Sequence, residues 1–216
     1  MRVLVLGIGN LLWADEGLGI RAVEALAERW RWADHVEILD GGTQGLYLVP
    51  QVSSATHLLV IDAIDFGDAP GTLRVLRDDE VPQAFSTQKM SLHQSGLADV
   101  LAAAALLGKA PTHVTLVGMT PAVLEDFGGS LSPTVAARFE DVVAAARAEL
   151  ARFGVTPTSA RGEGPRGDVT PGDPVPHRVT DPGLDVPTHG PLARERYEAE
   201  RPSADLACRF GDARFL

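Results

Sequence analysis

Residues 1–30 read MRVLVLGIGNLLWADEGLGIRAVEALAERW, and this opening decides the fold. Val3–Leu6 is a short apolar run that stops at Gly7-Ile8-Gly9-Asn10, while Leu18–Trp30 carries apolar residues at helical spacing. Strand, loop, helix is the first half of a βαβ unit, and such units build parallel sheets covered by helices on both faces. Gly7-Ile8-Gly9 superficially suits a dinucleotide fingerprint. The third glycine position is Leu12, however, and the helix starts too late to meet a pyrophosphate.

The same alternation continues downstream. Val36–Leu39 is a second strand ending at Asp40, followed by Gly41-Gly42-Thr43-Gln44-Gly45 and a short helix near Leu46–Val52. Leu58–Ile61 ends at Asp62, and Val114–Val117 is another parallel strand. Gly71–Arg77 reads as an edge strand, because the Pro70-Gly71 turn is too short for a helical crossover. His93–Leu107 and Pro133–Phe153 are helices, the latter capped by Ser132 and stopped by Gly154. The predicted fold is a three-layer α/β/α domain with a mostly parallel twisted sheet of about five strands.

Composition shifts near Gly154. Residues 155–216 hold 9 of the 15 prolines and 7 of the 22 glycines without a sustained apolar period, so residues 1–154 are expected to form the α/β domain and 155–216 a disordered tail. Of the net charge of −10, the first 154 residues carry −8. Phosphate backbones are poor partners for such a surface, which argues against nucleic acid. No apolar run reaches the ~18 residues needed to span a bilayer, and the amino terminus reads straight into a strand, so no signal peptide is expected. A cytoplasmic protein without membrane insertion is expected. The single cysteine, Cys208, excludes an intramolecular disulfide and a Cys-rich zinc site.

Working groups in open α/β sheets gather beyond the carboxyl ends of the strands. Asp40 and Asp62 stand at such ends, and the loop after the first strand brings Asp15 and Glu16 to the same edge. Asp15 and Glu16 also suit the positive end of the following helix, and Asp40 and Asp62 also suit turn initiation. His93, at the start of its helix, adds an imidazole. Carboxylates and an imidazole make an incomplete shell of hard and borderline donors, open to a divalent ion that something else already holds. His35, His57 and His113 fall near strand starts, at the opposite edge, and read as structural. Signatures of zinc and serine hydrolases are absent: there is no His-Glu-x-x-His and no Gly-x-Ser-x-Gly.

Several segments occur here in a familiar order: Gly7-Ile8-Gly9-Asn10, Asp15-Glu16-Gly17-Leu18-Gly19, Glu37 to Thr43, Asp62-Ala63, Pro70-Gly71-Thr72, His93 to Leu97, and Leu116-Val117-Gly118. Together they resemble the [NiFe]-hydrogenase maturation endopeptidases, which trim a carboxy-terminal extension from a hydrogenase large-subunit precursor. The resemblance spans the folded part, whereas the segment after residue 154 does not follow the compact family pattern. It implies that Glu16, Asp62 and His93 occupy metal-contacting positions and that Asp40 is a functional aspartate near the cleft. These four form the expected catalytic set.

The resemblance also implies that nickel arrives on the precursor and is not retained by the free enzyme, which is expected to act as a monomer. His93→Ala and Asp62→Asn are expected to stop processing with the fold intact, since neither side chain is expected to fill the core. Leu12 and Trp13 are placed either to grip the precursor or to pack on their own helix. A non-catalytic nickel-binding assembly chaperone and a small-molecule metal-dependent hydrolase use the same donors and stand as alternatives.

Overall fold

The computed structural model describes residues 1–82, 92–124, 126–128 and 130–160, with 92–95 described in backbone only. Residues 161–216, most of the expected tail, lie outside the described residues. Strands β1 (Val3–Ile8), β3 (Val36–Gly42), β4 (His57–Ala63), β5 (Leu73–Arg77) and β6 (His113–Met119) form one sheet in the order β3-β1-β4-β6-β5. Four are parallel. β5 lies antiparallel on β6 at the edge, as its short connection requires. β2 (Trp30–Arg31) and β7 (Ser159–Ala160) make a separate two-stranded ribbon.

Because β1, β4 and most of β6 are buried on both faces, their residues are largely apolar and alternate between two cores. Val3, Val5, Leu59, Ile61, Val117 and Met119 face α1 (Leu18–Arg29) and α5 (Phe139–Arg152). Leu4, Leu6, Ile8, Leu58, Val60 and Leu116 face α2 (Val49–Ser54) and α3 (Leu92–Leu106). These are the three layers expected from the sequence. The expected helix over Pro133–Phe153 is instead two, α4 (Pro133–Ala136) and α5, separated at Ala137–Arg138. There the Arg138 amide bonds the Val135 carbonyl at 3.0 Å, a tightened turn, and the Arg138 backbone leaves the helical region at φ −109°. The offset lets Val135 and the Val142, Val143, Ala146 and Leu150 stripe share one core.

The chain leaves β1 for β3 on one side, then returns to place β4 on the other. Strand order therefore reverses between β1 and β4, where a crevice opens beyond the carboxyl ends. Helix α1 approaches this point closely: a Cβ on Gly19 would lie 2.2 Å from the Ile61 carbonyl oxygen and 2.3 Å from that of Ile8. Only glycine admits that contact.

Candidate active site

Beyond the end of β1, Gly9 adopts φ +132° and has no room for a side chain. A Cβ there would sit 1.8 Å from the Glu16 carbonyl oxygen and 4.0 Å from Asp62 Oδ1. The Gly9 amide donates to the Gly42 carbonyl at 3.1 Å, and the Asn10 amide donates to that of Glu16 at 3.1 Å. Glu16, Asp62 and the end of β3 therefore meet around one glycine at the switch point. Glu16 is half-buried in the 3-10 turn Ala14–Gly17. Asp62, next to last in β4, has no exposed surface. The expectation that Asp62 stays out of the core is thus corrected: the strand carries it inward, against Gly118 of β6 in register.

Asp40 lies on the edge strand β3, beside β1. The register slips between Gly7, opposite Asp40, and Ile8, opposite Gly42. Asp40 Oδ1 accepts the Gly42 amide at 2.9 Å, closing the turn that its position suggested. Although the residue retains exposed surface, desolvation lifts its carboxyl above the ordinary aspartate range, opposed by the Gly42 hydrogen bond.

His93 lies in the first turn of α3, and its side chain is outside the described residues. The helix comes to this edge: a Cβ on Gly96 would lie 3.2 Å from the Gly45 Cα, in the turn after β3. Among the described residues no three His, Cys, Asp or Glu side chains form a group that could hold a metal ion; Glu16 approaches Gly9 through its backbone and Asp62 through its carboxylate.

Asp15 does not cap α1, whose N-cap is Gly17 without a side-chain bond. It is fully buried and takes hydrogen bonds from Ala122, Val123 and Ser132, more than a hundred residues away. Sequence spacing contained no signal for that link. Ser132 caps α4 as expected, accepting the Val135 amide at 3.4 Å. Trp13 packs edge-on against Phe127, with ring centroids 5.4 Å apart, while Leu12 is left 50% exposed.

A family model described as hydrogenase maturation protease matches residues 20–149. The chain belongs to the hydrogenase maturation proteases. Its similarity to the hydrogenase maturating endopeptidase HybD from Escherichia coli is structural as well, with a TM-score of 0.71 and 47% identity over 76% of this chain and all of that one. The Hydrogenase 2 maturation protease of Escherichia coli K12 is 49% identical over 72% of this chain and 94% of its own length. Hydrogenase expression/formation protein HupM of Azotobacter chroococcum is 50% identical across 99% of this chain and 93% of its own. Similarity to that relative therefore runs on past residue 154, through the segment that departs from the compact pattern.

This maturation protease is accordingly a peptidase, and membership favours that activity over the chaperone and small-molecule hydrolase alternatives. No helix among the described residues is long and apolar enough to cross a membrane.

Proposed function

We propose that this peptidase removes the carboxy-terminal extension of a [NiFe]-hydrogenase large-subunit precursor after nickel insertion, and that it recognises the nickel on its substrate. The observation that supports the reading is the approach of the Glu16 backbone and the buried Asp62 carboxylate to Gly9 at the switch point. Nickel held by the precursor completes its coordination with Glu16, Asp62 and His93. That contact neutralises the acidic crevice and fixes the scissile bond beside it, so discrimination between loaded and empty precursor is a matter of orientation and differential binding. The ion also supplies charge to polarise a carbonyl or acidify a water.

Asp40 takes a secondary role beside the peptide path, where the partly exposed Gly42, without a side chain, leaves the backbone open to close approach. Exposed Leu11 and Leu12, in the loop that carries Glu16, offer apolar surface to the precursor. The protein works in the cytoplasm as a monomer, and nickel leaves with the product.

The test mixes purified protein with nickel-loaded or nickel-free precursor and follows the carboxy terminus by mass spectrometry. Cleavage of the loaded form alone is expected. Equal cleavage of both would defeat nickel recognition, and nickel loading without trimming would indicate a chaperone.

A further inference from the structure

A carboxylate with no exposed surface is costly to bury unless hydrogen bonds replace its water. Asp15 is such a group, and four donors reach it. Oδ2 accepts the Ala122 amide at 2.8 Å, the Val123 amide at 2.9 Å and the Ser132 hydroxyl at 2.8 Å, and Oδ1 accepts the Ser132 amide at 2.6 Å. In return the Asp15 amide donates to the Val123 carbonyl at 3.2 Å. All of these partners belong to the segment between β6 and α4. Glu16 is the next residue, and its carbonyl is fixed from the other side by the Asn10 amide and by contact with Gly9. The backbone of Glu16 is thereby clamped between two anchors.

We propose that Asp15 is a positioning residue for the peptidase reaction: by tying the Ala14–Gly17 turn to residues 122–132, it fixes the Glu16 carboxylate relative to Asp62. The inference rests on the reading of Glu16 as a contact for substrate nickel. Its chemistry is specific to a carboxylate. Asparagine has the same size, but its amide nitrogen replaces one acceptor and faces donors at either place, the Ala122 and Val123 amides or the Ser132 amide. The anchor loosens while the volume stays filled.

The experiment is a double-mutant cycle of Asp15→Asn and Glu16→Gln in the full chain. Ni²⁺ affinity is read by calorimetry, and kcat/KM by cleavage of nickel-loaded precursor. Residues that orient a metal contact are commonly worth about 10- to 100-fold in affinity or rate, and a loss in that range is expected for Asp15→Asn. In the Glu16→Gln background the same change should cost nothing further, because Asp15 acts through Glu16. Ser132→Ala, which removes only the hydroxyl bond to Asp15 and the cap on α4, should show a smaller loss that also vanishes in that background. It carries the cycle if Asp15→Asn does not fold.

A loss that persists undiminished without the Glu16 carboxylate would overturn the proposal, since support for the fold in general is indifferent to Glu16. So would wild-type affinity and rate in Asp15→Asn when Glu16→Gln is impaired. If Glu16→Gln itself behaves as wild type, the reading of Glu16 fails, and the positioning role fails with it.

Discussion

Glu149 and Asp15 are both buried carboxylates, and the two ends of the sheet satisfy them by opposite means. At the amino-terminal end, Glu149 is 4% exposed and bracketed by guanidinium groups: Arg77 binds it through two nitrogens at 2.7 and 2.9 Å, and Arg152 through one at 2.9 Å. Beside it His57 stacks on His113 at 4.8 Å and edge-on against Phe153 at 4.9 Å. At the carboxyl end, Asp15 is held by three backbone amides and a hydroxyl. Guanidinium pairing cancels charge, whereas amides solvate it and leave it in place. One end therefore consumes its charge in stability. The other holds the Asp15 charge with neutral donors, in the turn that carries Glu16.

The largest expected effect falls at the carboxyl end. Gly9→Ala places a methyl 1.8 Å from the Glu16 carbonyl oxygen in a backbone conformation of φ +132°. Strain of this kind alone costs about 1–3 kcal/mol, and the clash adds to it. Thermal melting should show a marked loss of stability, with precursor processing abolished. A stable, fully active variant would break the idea that Gly9 is the packing centre of the site.

The amino-terminal end should respond in stability alone. Glu149→Gln removes the charge that both arginines share. Because Arg77 and Arg152 keep substantial solvent contact, the expected loss is about 1–3 kcal/mol by urea denaturation, below that of breaking a fully buried pair. Processing per folded molecule should stay at the wild-type rate. A specific loss of rate would erase the division between the ends.

Acid sharpens the contrast with a smaller effect. Burial, then the neighbouring His113, holds the His57 pKa below its usual 6.5. The unfolded chain binds that proton more readily, so the stabilisation is complete above about pH 6.5 and declines as pH falls below it. Glu149 is held low chiefly by its hydrogen bonds to Arg77, against the opposing effect of burial. Its contribution is present above the usual glutamate range and is lost at lower pH, as the carboxyl protonates in the fold. Urea midpoints should therefore decline in two stages, and His57→Asn should flatten the first. A wild-type midpoint that does not change between pH 8 and 5 would contradict this assignment.

The sheet was legible because its signals are local. Apolar runs end in glycine or aspartate at β1, β3 and β4, and the short link at Pro70-Gly71 places β5 at an edge. The strand ends also put Glu16 and Asp62 on one edge. What spacing could not reveal depends on distant partners. Asp15 reads as a helix-end acid until Ser132 is brought to it across 117 residues. Glu149 keeps the helical phase of Val142 and Ala146, but nothing nearby announced Arg77 from β5 as its partner. The break at Ala137–Arg138 escaped because apolar spacing survives one tightened turn.

The β2–β7 ribbon has a practical consequence for shortening the chain. Trp30 pairs with Ala160 in that ribbon and lies under the Arg147 guanidinium, 4.3 Å from its ring centroid. A protein ended at Gly154 would lose the second strand together with the buried Val155, whereas one ended after Ala160 retains both. Any defect confined to the shorter version belongs to the missing ribbon and to the loss of Val155 from the core, and only the longer version isolates what residues 161–216 contribute.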